Sequence, residues 1–112
     1  GVTVRDCLTW DNGRCGILVS GDLVEPGKRE PAHNHRNVAV VGCVARDNPG
    51  DPKYLDNHSG SGILVGSADG GLIDQCVAYR NGEQCVAKSG GPVGIWAYAS
   101  RGLTVRRCSA FD

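Results

Sequence analysis

The stretch that decides the fold is the last one, "GLTVRRCSAFD" (Gly102–Asp112), because the chain opens on nearly the same phrase, "GVTVRDCLTWD" (Gly1–Asp11). In register, the Gly, Thr, Val, Arg, Cys and Asp positions of the two phrases coincide. Two further segments match the phrase more loosely, "NVAVVGCVARDN" (Asn37–Asn48) and "GLIDQCVAYRN" (Gly71–Asn81). A phrase that returns every 30 to 40 residues or so predicts a repeat architecture.

Aligning the four copies on cysteine gives an ordered repeat. The aligned residues are Cys7, Cys43, Cys76 and Cys108, at intervals of 36, 33 and 32 residues. An asparagine follows the first three copies, at Asn12, Asn48 and Asn81. A second phrase lies between the first ones, as "GILVS" (16–20), "GILVG" (62–66) and "GIWAY" (94–98). Each repeat is therefore predicted to contain two short strands, an Asn turn, a variable loop, a glycine and a third strand.

Composition supports one all-β domain. The 112 residues include 17 glycines, and no stretch of ten or more has apolar positions at helical spacing without Gly or Pro. We expect a single domain of coils at 1–36, 37–70, 71–101 and 102–112. The net charge of +0 argues against nucleic-acid binding by phosphate neutralisation. No apolar run reaches the roughly 18 residues of a membrane span, and no signal peptide is recognised.

These phrases resemble the right-handed parallel β-helix of the pectate-lyase-like superfamily, over essentially the whole chain. The strings "NHSGSGILVG", "DGGLIDQCVAYRNG" and "GGPVGIWAY" are similar to those of uncharacterised bacterial secreted β-helix repeat proteins. The resemblance implies a solenoid of about three coils plus a partial fourth, a secreted or periplasmic location and a polysaccharide partner. The superfamily's four-carboxylate cluster and the Asp-Pro-His-Asp phrase of alginate epimerases are both absent, which weakens transfer of either activity.

Stacked coils place equivalent residues above one another at about 4.8 Å. Asn12, Asn48 and Asn81 are then expected to form an amide ladder, at a turn whose left-handed backbone asparagine tolerates. The four aligned cysteines are expected to stack inward as buried thiols. Two disulfide alternatives stay open, Cys43 with Cys76 at a suitable Cα separation, and Cys15 with Cys85 if a loop brings them together. The absence of C-x₂-C pairs argues against zinc.

Two long loops leave the same corner after the Asn ladder, "PGDPKYLDNHSGS" (49–61) and "GEQCVAKSGGP" (82–92). Because their coils are adjacent, the loops are expected to lie side by side and to form a glycan cleft. His58 and Tyr54 are the candidate bases, and Lys53 or Lys88 would neutralise a uronate carboxylate. Substrate-binding candidates are Asp56, Glu83, Trp96 and Tyr98. For each of them a purely structural role is the alternative: a turn for His58, solvated lysines, and inward packing for Trp96.

Metal and cofactor signals are weak. His33 and His35 flank Asn34 in the insertion 21–36, which leaves from another corner, and no third ligand accompanies them. The aspartates at 56, 69 and 74 do not form a recognisable calcium loop. We therefore predict no metal and no cofactor.

Two functions follow as hypotheses. The first is a secreted β-helix that binds or processes a polysaccharide, with lyase, epimerase or hydrolase-like action on an acidic glycan. The second is a non-catalytic structural module. Because the first and last phrases are the same strand of a coil, no cap is visible at either end. The chain is then expected to be a piece of a longer solenoid or a subunit that stacks end to end into a filament.

Overall fold

The computed structural model describes residues 1–21, 24, 27–29, 32–88 and 90–112, and within them it shows a parallel β-solenoid. About three turns are complete, and a fourth has begun. Strands occupy the predicted phrases, and the described residues form no helix, so they offer no helical membrane span. The all-β solenoid prediction is confirmed.

Each turn contributes its strands in the same order. The first turn contains β1 (Thr3–Arg5), β2 (Leu8–Thr9) and β3 (Cys15–Val19), and the second contains β4 (His35–Val41), β5 (Val44–Arg46) and β6 (Ser61–Gly66). The third contains β7 (Ala68–Asp74), β8 (Val77–Tyr79) and β9 (Ile95–Tyr98), and the fourth contains β10 (Thr104–Arg106) and β11 (Ser109–Phe111). The strands form a first sheet (β1-β4-β7-β10), a second sheet (β2-β5-β8-β11) and a third sheet (β3-β6-β9).

The register of the first sheet follows the cysteine intervals. Thr3 lies opposite Ala39, Ala39 opposite Leu72, and Leu72 opposite Thr104, which are separations of 36, 33 and 32 residues. Every pairing is parallel, because each turn brings the chain back over itself in the same direction. The repeat seen in the sequence is thus one turn of the solenoid.

Apolar side chains fill the interior of the coils. Val40, Ile63, Val65 and Ile73 are almost completely buried, and so are the smaller core side chains Cys43, Ala45, Ala68 and Cys76. The first and fourth turns have a neighbouring turn on one side only. An interior apolar side chain of an end turn is therefore partly exposed, as in Val105, whose register partner Ile73 is buried.

The predicted asparagine ladder is confirmed by hydrogen bonds between its side chains. The amide nitrogen Nδ2 of Asn12 donates to Oδ1 of Asn48 at 2.8 Å, and Nδ2 of Asn48 donates to Oδ1 of Asn81 at 2.9 Å. The expectation that asparagine itself takes the left-handed conformation is wrong. The residue before it has the positive φ: 57° at Asp11, 50° at Asp47 and 50° at Arg80. This backbone arrangement leaves each asparagine free to bridge neighbouring turns with its side chain.

The four aligned cysteines occupy equivalent positions as thiols. Cys43 and Cys76 are completely buried, and each Sγ donates to the carbonyl two residues earlier, at 3.5 and 3.3 Å. The other two differ from the buried-thiol prediction, because Cys7 is exposed on the first turn and Cys108 is only partly buried on the fourth. All six cysteines are free, so neither disulfide alternative forms. Cys85 instead accepts a hydrogen bond from the backbone N–H of Ser59 at 3.4 Å.

The glycine that opens the second phrase has a packing reason. It faces the alanine column of the second sheet, where a side chain would not fit. A Cβ on Gly62 would lie 2.9 Å from Cβ of Ala78, and one on Gly94 would lie 2.7 Å from Cβ of Ala110. The glycine therefore lets the third sheet approach the second closely, within one residue of the start of β3, β6 and β9.

Candidate functional site

A groove of about 610 Å³ lies on the outer face of the third sheet. The strands β3, β6 and β9 form its floor, and the loop between Asn48 and Ser61 forms a wall. Four of the predicted site residues line it: Tyr54, His58, Trp96 and Tyr98. Its other lining residues were not predicted as site residues: Arg14, Cys15, Leu18, Ser20, Gly21, Asn57, Leu64 and Gly90.

The alternation of β9 decides where its two aromatic residues point. Ile95 packs against the core, and Trp96 is 40% exposed on the outside, in register with Leu64. The inward alternative for Trp96 is therefore wrong. Tyr98 lies over Gly66 of the neighbouring strand, where any Cβ would collide with the phenol ring. The ring centroids of Trp96 and Tyr98 are 5.3 Å apart and the ring planes are tilted by 49°, so together they present one angled aromatic surface, the aromatic platform.

His58 is held in place from three sides. Its ring centroid lies 5.9 Å from that of Trp96, and Nδ1 lies 3.1 Å from Oγ of Ser61. Gly91 approaches the ring so closely that a Cβ there would lie 2.7 Å from Cγ of His58. The histidine is therefore more than a turn residue, because its ring is packed at the edge of the aromatic platform.

A cation also borders the groove. The guanidinium carbon of Arg14 lies 3.5 Å from the ring centroid of Tyr54, which is cation–π geometry. Arg14 belongs to the first turn and Tyr54 to the loop of the second, so the contact joins neighbouring turns. No carboxylate accompanies them among the described lining residues of the groove.

Burial suppresses ionisation of two groups in the groove, Cys15 and Tyr98. It raises the pKa of the Cys15 thiol to about 11, because the charged form would lose its solvation. It also raises the pKa of Tyr98, with a smaller contribution from Cys15. Both groups are therefore neutral at physiological pH. Cys15 does not offer a reactive thiolate to a ligand.

The two long loops lie side by side, as expected. The backbone N–H of Gln84 donates to the carbonyl of Pro49 at 2.7 Å, and that of Gly82 donates to the carbonyl of Asn48 at 2.8 Å. Ser89, within the second loop, lies outside the described residues.

Four predicted residues lie away from the groove lining. Lys53, Asp56 and Lys88 are exposed and do not line it, so His58 and Lys88 do not converge there. Glu83 borders a separate cavity of about 350 Å³ with Asp47 and Arg80. The backbone of the Pro49–Ser61 loop turns tightly at Lys53, whose N–H donates to the Asp51 carboxylate at 2.9 Å.

The most informative of the unpredicted residues is Arg14. It stands between the ladder residue Asn12 and the glycine of the next phrase, in a short connection rather than a long loop. Its position in the repeat could have indicated this role. Arg14 follows the first ladder asparagine, and the longer loops of the second and third turns begin at the same corner, so a first-turn side chain there can reach them.

The histidine insertion gives no metal site in the described residues. Nε2 of His35 is 2.7 Å from the carbonyl oxygen of Ser20, so this ring nitrogen is engaged in a hydrogen bond with the backbone. Parts of the insertion, at 22, 23, 25, 26, 30 and 31, lie outside the described residues. Elsewhere in the described chain, no three His, Cys, Asp or Glu side chains gather to hold a metal ion.

Comparison with protein-family models, curated proteins and solved structures gives no match for this chain.

Proposed function

We propose that this protein binds a polysaccharide chain in the groove of the third sheet, and that the glycan is acidic. The observation that carries the proposal is the pair Trp96 and Tyr98, which present aromatic surface in a groove beside His58 and Arg14. Aromatic rings in a concave site bury the apolar faces of a sugar, and a few polar groups fix its orientation. A solenoid's flat outer face suits an extended polymer.

Arg14 supports the acidic character of the glycan. Its guanidinium is permanently charged, and it is positioned by stacking on Tyr54. A guanidinium binds a carboxylate through paired hydrogen bonds, whereas a neutral sugar offers it hydroxyl groups alone. A uronic-acid unit next to the aromatic platform would therefore bind more tightly than its neutral counterpart.

Binding is better supported than catalysis. The lysines proposed to neutralise a uronate, Lys53 and Lys88, are exposed residues outside the groove lining. The pectate-lyase-like resemblance and a secreted location belong to the same proposal, because a polysaccharide ligand is found outside the cytoplasm in that superfamily. The parallel stacking of the turns supports the β-solenoid fold on which the resemblance rests.

The experiment is calorimetric titration with a short uronic-acid oligosaccharide and with its carboxyl-reduced, neutral form. Trp96→Ala should weaken binding of the acidic probe by about tenfold or more, because it removes the platform. Arg14→Gln should reduce the preference for the acidic probe over the neutral one.

Trp10→Ala provides the matched control. Trp10 is the other of the two tryptophans and is 56% exposed, yet it is not among the residues that line the groove. Its removal should leave both affinities unchanged. Equal losses in the two tryptophan variants, or no binding of either probe to the unaltered protein, would refute the proposal.

A further inference from the structure

Ser61 is a buried hydroxyl with two described partners. It is completely buried at the start of β6. The backbone N–H of Val93 donates to its Oγ at 3.3 Å, and Nδ1 of His58 lies 3.1 Å from the same oxygen. Ser61 thus connects the loop of the second turn with the segment that leads into β9.

The hydrogen-bonding capacities of these groups assign the protons. A hydroxyl has one proton to donate and accepts through its lone pairs. The Val93 N–H can only donate, so it uses one acceptor position of Oγ. A buried hydroxyl proton without an acceptor costs free energy, and Nδ1 of His58 is the acceptor that the described contacts supply.

We propose that the Ser61 hydroxyl donates to Nδ1 of His58 and thereby holds the neutral imidazole with its proton on Nε2, as a hydrogen-bond donor to the bound sugar. Ser61 is then a positioning residue, and His58 contributes a donor where the sequence predicts a base. The donor role rests on the proposed glycan binding, but the assignment of the proton does not.

The packing of the ring supports this role. Trp96 and Gly91 contact the imidazole, so the ring cannot exchange the positions of its two nitrogens without disturbing both. With Nδ1 engaged by a buried serine, Nε2 is the ring nitrogen left for a ligand in the groove that His58 lines. Sugar hydroxyl, ring and carboxylate oxygens all accept such a bond.

The test is ¹⁵N NMR of the imidazole nitrogens in the free protein at about pH 8, which is above the ordinary histidine pKa. The signals of His58 are assigned by their loss in His58→Gln. We expect a pyridine-type shift for Nδ1 and a pyrrole-type shift for Nε2. The reverse pattern in the unaltered protein would overturn the assignment without the need for any variant.

Ser61→Ala is expected to raise the fraction of the Nδ1–H tautomer towards that of a free neutral imidazole, in which Nε2–H is still the major form, and to weaken binding of the uronic-acid oligosaccharide by roughly threefold to tenfold. Ser59→Ala is the matched control. Ser59 is as deeply buried in the same loop, but its hydroxyl accepts the Asp51 N–H at 2.9 Å and has no described hydrogen bond to the His58 ring. An unchanged His58 tautomer in Ser61→Ala would contradict the positioning role.

The two proposals fail separately. If the tautomer is as assigned but calorimetry shows no oligosaccharide binding, the donor role falls together with the proposed function, and the Ser61 assignment stands. If the oligosaccharide binds without shifting the Nε2 signal, only the donor role falls. If the oligosaccharide binds and the tautomer is reversed, glycan binding stands and His58 acts as an acceptor.

Discussion

Asn48 shows how one side chain joins three turns of the solenoid. It is completely buried, its Oδ1 accepts from Asn12, and its Nδ2 donates to Asn81. An amide supplies both a donor and an acceptor at one position, which a repeated ladder requires. The sequence revealed this ladder because a ladder residue must recur at the period of the turn. It did not reveal the left-handed residue, because that position varies between Asp and Arg.

Asn48→Asp should lower the free energy of unfolding by about 2–4 kcal/mol. The carboxylate has no N–H for Oδ1 of Asn81, and it places an unpaired charge in a buried site. Urea unfolding followed by circular dichroism measures the loss.

Asn12→Asp is the control for position in the ladder. Asn12 lies in the first turn and is less buried than Asn48, so water can solvate the new carboxylate. Its loss should be less than half that of Asn48→Asp. Equal losses of unfolding free energy in the two variants would contradict the claim that the cost of the carboxylate depends on how deeply the ladder position is buried.

Strands of neighbouring turns are also joined by ion pairs in which two arginines share a carboxylate. Asp74 at the end of β7 accepts from Nε of Arg107 at 2.8 Å and from Nη2 of Arg106 at 3.2 Å, both from the fourth turn. Asp47 similarly binds Arg80 of the next turn and Arg46, its neighbour in the chain. The pairs of Asp74 with both arginines and of Asp47 with Arg80 lie between turns, because residues one period apart are neighbours in a parallel stack. The positions of these charged residues in the strands were predictable from the repeat, but the ion-pair partner of each side chain was not.

The shared carboxylates predict loss of stability in acid. Hydrogen bonds from Arg107 lower the pKa of Asp74 from 3.8 to about 2, with a smaller contribution from Arg106. Because the folded-state pKa is depressed, the stabilisation is complete above about pH 4 and is lost as the pH falls towards 2. The pKa of Asp47 is lowered further by Arg80 and Arg46, so its contribution persists into stronger acid.

Thermal unfolding between pH 5 and pH 2 measures this effect, and Asp74→Asn should flatten the pH dependence. Asp56→Asn, which changes an exposed carboxylate outside the described ion pairs, should not. A profile for Asp74→Asn as steep as that of the unaltered protein would contradict the role of this carboxylate.

At the scale of the whole molecule, the repeat determined the fold and the loops determined the site. The recurring phrases predicted the three sheets, because a solenoid turn has one period for strands, turns and core alike. The groove was predictable only in part, since His58, Tyr54, Trp96 and Tyr98 belong to it but the lysines do not. The repeat does not indicate where the end of a long, flexible lysine side chain lies. It also does not indicate that Arg14 reaches the groove from another turn.

The most direct test of the account is to map the contact surface of the uronic-acid oligosaccharide by amide ¹H–¹⁵N NMR titration. Binding in the groove predicts shift changes confined to residues 14–20, 54–66 and 94–98, with little change at the strands of the first sheet. Shift changes centred on β1, β4, β7 and β10, or none at saturating oligosaccharide, would contradict it.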